Sequence, residues 1–209
     1  MIWVTGLPHS GTTAMWSLLT AAGFDGGDDI KWEGDGKGGE WWPLVNLGVE
    51  MLMSYQGFVG PQQVGWNRWD AARWLAAVKP VVDRLRALPF PDVVKLPDYG
   101  QQLLFAVVRP EKLIIVERDV SAWVRSMMSN VHARRVGRRE LAEAWKVGTA
   151  MLKQVADWMG VDHVVVEFPR FVDDVEYAAE TVAGFVGVDL DVFVEAHRRS
   201  MLEGMVTFR

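Results

Sequence analysis

The sequence predicts an α/β protein: a three-layer α/β/α domain around a central parallel sheet, with a helical cap. Three observations support this. Short apolar runs rich in valine and isoleucine recur at residues 2–5, 92–96, 112–117 and 163–167. Stretches with helical spacing of apolar residues, at 12–22, 119–130 and 140–159, alternate with them. The runs are continuously apolar, as expected of parallel strands covered on both faces. A chain of 209 residues is most simply one domain. No repeat or linker divides it, so residues 1–209 read as a single domain with 24–90 inserted as a cap.

Ile2-Trp3-Val4-Thr5 is the first strand, and the helix over 12–22 ends plausibly at Gly23. The Gly- and Asp-rich stretch from Gly26 to Gly39 predicts an irregular loop. Residues 41–58 predict one or two helices, and 70–88 another, with Pro80 marking a kink or break. Asp92–Leu96 is a strand, 99–107 a helix, and Pro110 stands near a boundary. Lys112–Glu117 is the clearest central strand, followed by the helix at 119–130. The arginine-rich run 134–139 then separates it from the helix near 140–159. His163–Glu167 is the last strand, with helices predicted at 173–186 and 190–203. Ligands of such sheets lie at the carboxyl ends of strands. The first glycine loop, Lys95, Arg118 and Glu167 all fall at or near such ends.

With 22 basic and 27 acidic residues the net charge is -5, which argues against general nucleic-acid binding. The absence of cysteine excludes disulfides, thiolate metal sites and cysteine nucleophiles. No metal site is expected. No run reaches the roughly 18 apolar residues of a membrane span, and no signal peptide is expected. The default location is the cytoplasm, and a homodimer is the base-rate expectation.

The chemistry is concentrated after the first strand, in Thr5-Gly6-Leu7-Pro8-His9-Ser10-Gly11-Thr12-Thr13. The glycine spacing and trailing hydroxyls fit a P-loop, but Thr12 stands where its lysine belongs. Gly6 and Gly11 would let the backbone bend around an anion, with the positive end of the helix behind it. Thr12 and Thr13 would add hydroxyl donors or cap the helix. The plain alternative is a glycine turn before an ordinary helix.

This loop resembles the 5′-phosphosulfate loop of the sulfotransferase superfamily, especially the form in protein-tyrosine sulfotransferases and related bacterial enzymes. The resemblance implies donor binding by Gly6, Pro8, His9, Ser10, Gly11, Thr12 and Thr13. His9 occupies the position of the family's lysine or arginine. A second family signature joins an arginine at a strand end to a serine eight positions later. Here Arg118 and Ser126 match it, inside Glu117-Arg118-Asp119-Val120-Ser121-Ala122-Trp123-Val124-Arg125-Ser126. The implied role of this pair is to hold a 3′-phosphate, while Asp119 reads as a helix cap. Taken alone, Arg118-Asp119 is a local salt bridge or cap. Arg198 and Arg199 are weaker matches to a terminal family motif that reaches the same phosphate.

The implied activity is transfer of a sulfuryl group from 3′-phosphoadenylyl sulfate (PAPS) to a hydroxyl or amine of a small-molecule acceptor. The product is adenosine 3′,5′-bisphosphate (PAP). His9 is the candidate for leaving-group stabilisation. Lys95 either contacts the donor or is a surface lysine. Glu33 and Glu40 lead the candidate bases, with Asp35, Glu50 and His132 behind them. Trp32, Trp41, Trp42, Trp66, Trp69 and Trp74 divide between a core under the cap and an aromatic acceptor pocket. Arg134, Arg135, Arg138 and Arg139 form a solvated helix start or a lid over the donor. Glu167-Phe168-Pro169-Arg170 resembles a later family segment, but Val166 replaces the aromatic residue expected beside adenine. Two further readings stay open: a P-loop small-molecule kinase using ATP and Mg²⁺, and an inactive nucleotide-binding relative.

Overall fold

A computed structural model describes residues 1–27, 79–95, 108–129 and 136–203. Four strands, β1 (Ile2–Thr5), β2 (Val93–Lys95), β3 (Lys112–Arg118) and β4 (Asp162–Phe168), form one sheet. Their spatial order is β2-β1-β3-β4 and every pairing is parallel. The register sets Val4 beside both Lys95 and Ile114, and Arg118 beside Phe168.

Alternation along the strands sorts the core into two faces. Ile2, Val4, Val93, Ile114, Val116 and Val166 meet α1 (Thr12–Ala21) and the C-terminal helices. Trp3, Val94, Leu113 and Ile115 face the other way, toward Leu152 and Ala156 of a later helix. This is the helix-covered parallel sheet expected from the apolar runs.

After β3 comes α2 (Val120–Ser129), which Asp119 caps by accepting from the Ala122 amide at 2.9 Å. The expectation for Asp119 therefore holds. Next is α3 (Arg138–Met159), a 22-residue helix closed by Gly160 in the left-handed region. It starts earlier than expected, so Arg138 and Arg139 lie in its first turn and are exposed there. That fits the solvated helix start. Lys153 of α3 reaches down to Glu117 at 2.8 Å.

The predicted helix at 173–186 is broken. Helical turns at Arg170–Asp173 and Val175–Ala178 are separated by Asp174 in extended geometry. Its side chain accepts from the Tyr177 amide at 2.9 Å, so a local cap competes with helix continuation. A π turn, Ala179–Ala183, and the short Gly184–Val186 complete the segment. The last helix, α4 (Leu190–Glu203), packs on α1.

Residues 79–86 are helical with Pro80 inside the helix. Residues 28–78 of the predicted cap, including all six of its tryptophans, lie outside the described residues, as does the predicted helix at 99–107. No helix among the described residues is long and apolar enough to cross a membrane.

The connection after β1 leads to β2 on one side, whereas the connection after β3 leads to β4 on the other. The adjacent carboxyl ends of β1 and β3 thus form a topological switch point, where a crevice opens in sheets of this kind. Residues 6–11 and Arg118 stand at that point.

Leu152 is 1% exposed and joins α3 to the sheet, whereas Val147 on the same helix is 58% exposed. Leu152→Ala is expected to lower unfolding free energy by about 2–5 kcal/mol. Val147→Ala is expected to change it by less than about 0.5 kcal/mol. Urea titration of both variants checks this placement of α3.

Candidate functional site

Between Thr5 and Thr12 the chain must turn sharply over β3. Gly6 makes this possible: a Cβ there would collide with the Val116 carbonyl and the Ser10 hydroxyl. Gly11, at φ 102°, is the N-cap of α1, and its Cα faces the Phe168 ring where a Cβ would clash. Both glycines of the motif are thus required by close approach of backbone to neighbouring groups. The helix has no side-chain cap, so neither threonine caps it.

The loop is gripped from behind, residue by residue. Leu7 is buried with Trp123, Val124 and Leu141. It also lies against Gly148 of α3, where a Cβ would crowd its side chain. The Pro8 carbonyl accepts from the Trp123 indole N–H at 2.7 Å. The His9 carbonyl accepts from an Arg118 guanidinium N–H at 3.2 Å. These contacts turn the carbonyls of residues 8 and 9 toward β3 and α2. The Ser10 amide closes a turn to the Leu7 carbonyl at 3.0 Å. The amides of Gly11, Thr12, Thr13 and Ala14 donate to no acceptor among the described residues. They form the N-terminal donor set of a ten-residue helix, the arrangement that binds anions.

Lys95 supplies the charge that Thr12 cannot. It ends β2, is 2% exposed, and its ammonium donates to the Thr13 hydroxyl at 2.7 Å. It shares a sheet face with Val93, so the alternation of β2 points it at α1. The surface-lysine alternative is thereby overturned. A cation buried at the first turn of α1 opposes the helix dipole. An anion at the same amides would offset both.

Arg118 shares the α1 face with Ile114 and Val116. Its guanidinium lies 5.0 Å from the Phe168 ring centre, and its buried Nε has no hydrogen-bond partner among the described residues. Burial, and then the neighbouring Arg125 charge, lower the Arg118 pKa from its ordinary value. No carboxylate pairs with Arg118 or Arg125 among the described residues. Two cations that repel each other without a counter-charge mark a second positive locus beside the loop.

His9 lies against the second locus. It is exposed, adopts φ 66°, and its Nδ1 is 3.4 Å from the Ser126 hydroxyl. Burial of part of the ring, followed by the Arg118 charge, pushes its pKa below the ordinary 6.5. The shift disfavours a protonated ring, and the permanent cations of the site are Lys95 and Arg118.

The structure brings together Gly6, Pro8, His9, Ser10, Gly11, Thr12, Thr13, Lys95, Arg118 and Ser126. Arg198 and Arg199 are exposed on α4, and no contact among the described residues links either to the loop. Glu33, Glu40, Asp35, Glu50, His132, Arg134 and Arg135 lie outside the described residues. Val166 is fully buried in the α1-side core, so it offers no surface for stacking. Arg170 stacks on Tyr177 at 3.9 Å, and the Tyr177 hydroxyl accepts from the Glu167 amide at 3.1 Å. That part of the later segment is occupied with holding β4 to the helix turns after it.

Sequence reasoning missed Trp123, Phe168 and Gly148. Gly148 alone left a signal, as a glycine inside an otherwise helical pattern, which often marks close packing.

No protein-family model matches the chain, and a search of curated proteins returns no match. What fold and site define together is an α/β protein whose parallel sheet carries a glycine loop at its switch point, with Lys95 and Arg118 beside it.

Trp123→Phe keeps the ring but removes the donor to Pro8. It is expected to cost about 0.5–1.5 kcal/mol in unfolding free energy, checked by denaturant titration. A pH effect follows from His9. Below pH 6.5 the unfolded chain binds more protons at this residue than the folded one. Stability from His9 is therefore present above 6.5 and is lost as pH falls through the lowered folded value. Melting temperatures of His9→Gln, compared with the parent protein, are expected to fall less steeply below pH 6.5.

Proposed function

We propose that the chain is a sulfotransferase that takes the sulfuryl group from 3′-phosphoadenylyl sulfate and passes it to a hydroxyl or amine of a small-molecule acceptor. The fold behind this reading is a P-loop-like α/β/α domain around the parallel sheet. The observation that carries it is the second positive locus. A nucleoside triphosphate site needs one cluster of charge along a single phosphate chain. Here Lys95 meets Thr13 at the first turn of α1, while Arg118 at the end of β3 and Arg125 on α2 lie without a carboxylate partner among the described residues. A ligand with two separate anionic groups matches that division.

The residues present fit the donor. The free amides at the start of α1 and the hydroxyls of Thr12 and Thr13 would hold its 5′-phosphosulfate. Arg118 would take the 3′-phosphate through its planar fork, with Ser126 adding a hydroxyl. Bound there, the donor supplies an activated sulfuryl group with a phosphate as leaving group. Lys95 would neutralise charge gathering on that phosphate. His9 of the loop would donate a proton or hydrogen bond once an adjacent anion restores its basicity.

One observation favours a second reading, a P-loop small-molecule kinase. Lys95 restores, from another strand, the ammonium that the loop sequence lacks.

Calorimetric titration with adenosine 3′,5′-bisphosphate, ADP and ATP, each with and without Mg²⁺, separates the two. The bisphosphate is expected to bind without Mg²⁺, and Arg118→Ala to weaken it by roughly 10–100-fold. Mg²⁺-dependent preference for ATP would sink the sulfotransferase reading. Lys95→Met is expected to reduce sulfuryl transfer by at least about 100-fold, measured with a panel of phenol and amine acceptors.

A further inference from the structure

Arg118 and Ser126 are already engaged, and both on the same residue. Arg118 donates to the His9 carbonyl at 3.2 Å, and the Ser126 hydroxyl meets the His9 ring at 3.4 Å. Among the described residues the Ser126 hydroxyl has no other partner, and Arg118 no carboxylate. These two contacts help hold His9 at φ 66°, a conformation that a non-glycine residue keeps only when its surroundings impose it.

Both contacts are long. Charge-assisted bonds from a guanidinium or hydroxyl to phosphate are shorter and roughly twice as strong as neutral ones. A phosphate arriving at Arg118 and Ser126 would therefore outcompete a backbone carbonyl and a neutral imidazole. From this we propose that a ligand phosphate taken up by Arg118 and Ser126 displaces His9 from both, so that filling the second locus frees the histidine ring for the loop. The inference rests on the two-locus reading above. It adds that the loci are linked, with His9 as the moving part, and that a ligand with one phosphate leaves the ring where it is.

The charged group facing His9 among the described residues is Arg118, from the end of β3, which itself has Arg125 of α2 as a neighbouring cation. The Arg118 charge disfavours a protonated ring. Moving the ring off this cationic wall and next to bound anions reverses that bias. Exchange thus delivers an imidazole with restored basicity only when the donor is fully seated. Ligands lacking the second phosphate would be held without assembling the catalytic set.

The test follows the His9 ring by proton NMR in the full chain, with its signals assigned by their loss in His9→Gln. The nuclear Overhauser contact between the ring and the Ser126 β-protons is expected in the unliganded protein. It is expected to persist in saturating adenosine 5′-monophosphate and to vanish in saturating adenosine 3′,5′-bisphosphate. Persistence with the bisphosphate bound, or equal loss with both ligands, would overturn the exchange while leaving the functional reading intact. Failure of the bisphosphate to bind by calorimetry would instead remove both.

Discussion

The short strand β1 is wedged between β2 and β3, and the chain leaving it must cross the end of β3 with almost no clearance. Gly6 touches the Val116 carbonyl region so closely that no side chain fits. The rest of the site follows from this crossing. It sets the loop over β3, within reach of Arg118, and starts α1 with its amides at the carboxyl edge of the sheet. It also brings the end of β2, and so Lys95, against the first turn of α1. A wider turn would separate these groups, because each is held by a strand whose position the parallel register already fixes.

The loop is held on its outer side by groups that carry no anion-binding chemistry of their own. Leu7 sinks against α2 and α3, Trp123 takes one carbonyl, and Phe168 presses on Gly11. Engaging carbonyls from behind leaves the amides at the start of α1 free, which is the pre-organisation an anion site needs. The electrostatics agree. A buried ammonium, and two neighbouring guanidiniums that meet no carboxylate among the described residues, place positive charge beside a helix N-terminus.

Much of the architecture was legible because its causes are local. Apolar β-branched runs are strands wherever both faces are covered, which holds for 2–5, 112–118 and 162–168. The glycine spacing around α1 and the cap at Asp119 likewise depend on neighbours a few residues away. Even the broken helix after β4 has a local cause in Asp174, although helical periodicity across 173–186 outweighed it in the sequence reading. Lys95 shows the opposite case. Its residue type and strand-end position suggested either a donor contact or a surface lysine, and only packing against α1 removed the second.

The sequence by itself determined the parallel α/β class, the glycine turn between β1 and α1 and the residue types that carry charge to the sheet's carboxyl edge. It did so because periodicity, glycine spacing and strand-end position are properties of adjacent residues. Only the tertiary structure decided that Lys95 is buried against Thr13, that Trp123 braces Pro8, and that His9 sits between Arg118 and Ser126. Those contacts join residues 82 to 117 positions apart. They arise when a four-stranded register closes, and nothing in the immediate neighbourhood of either partner encodes the meeting.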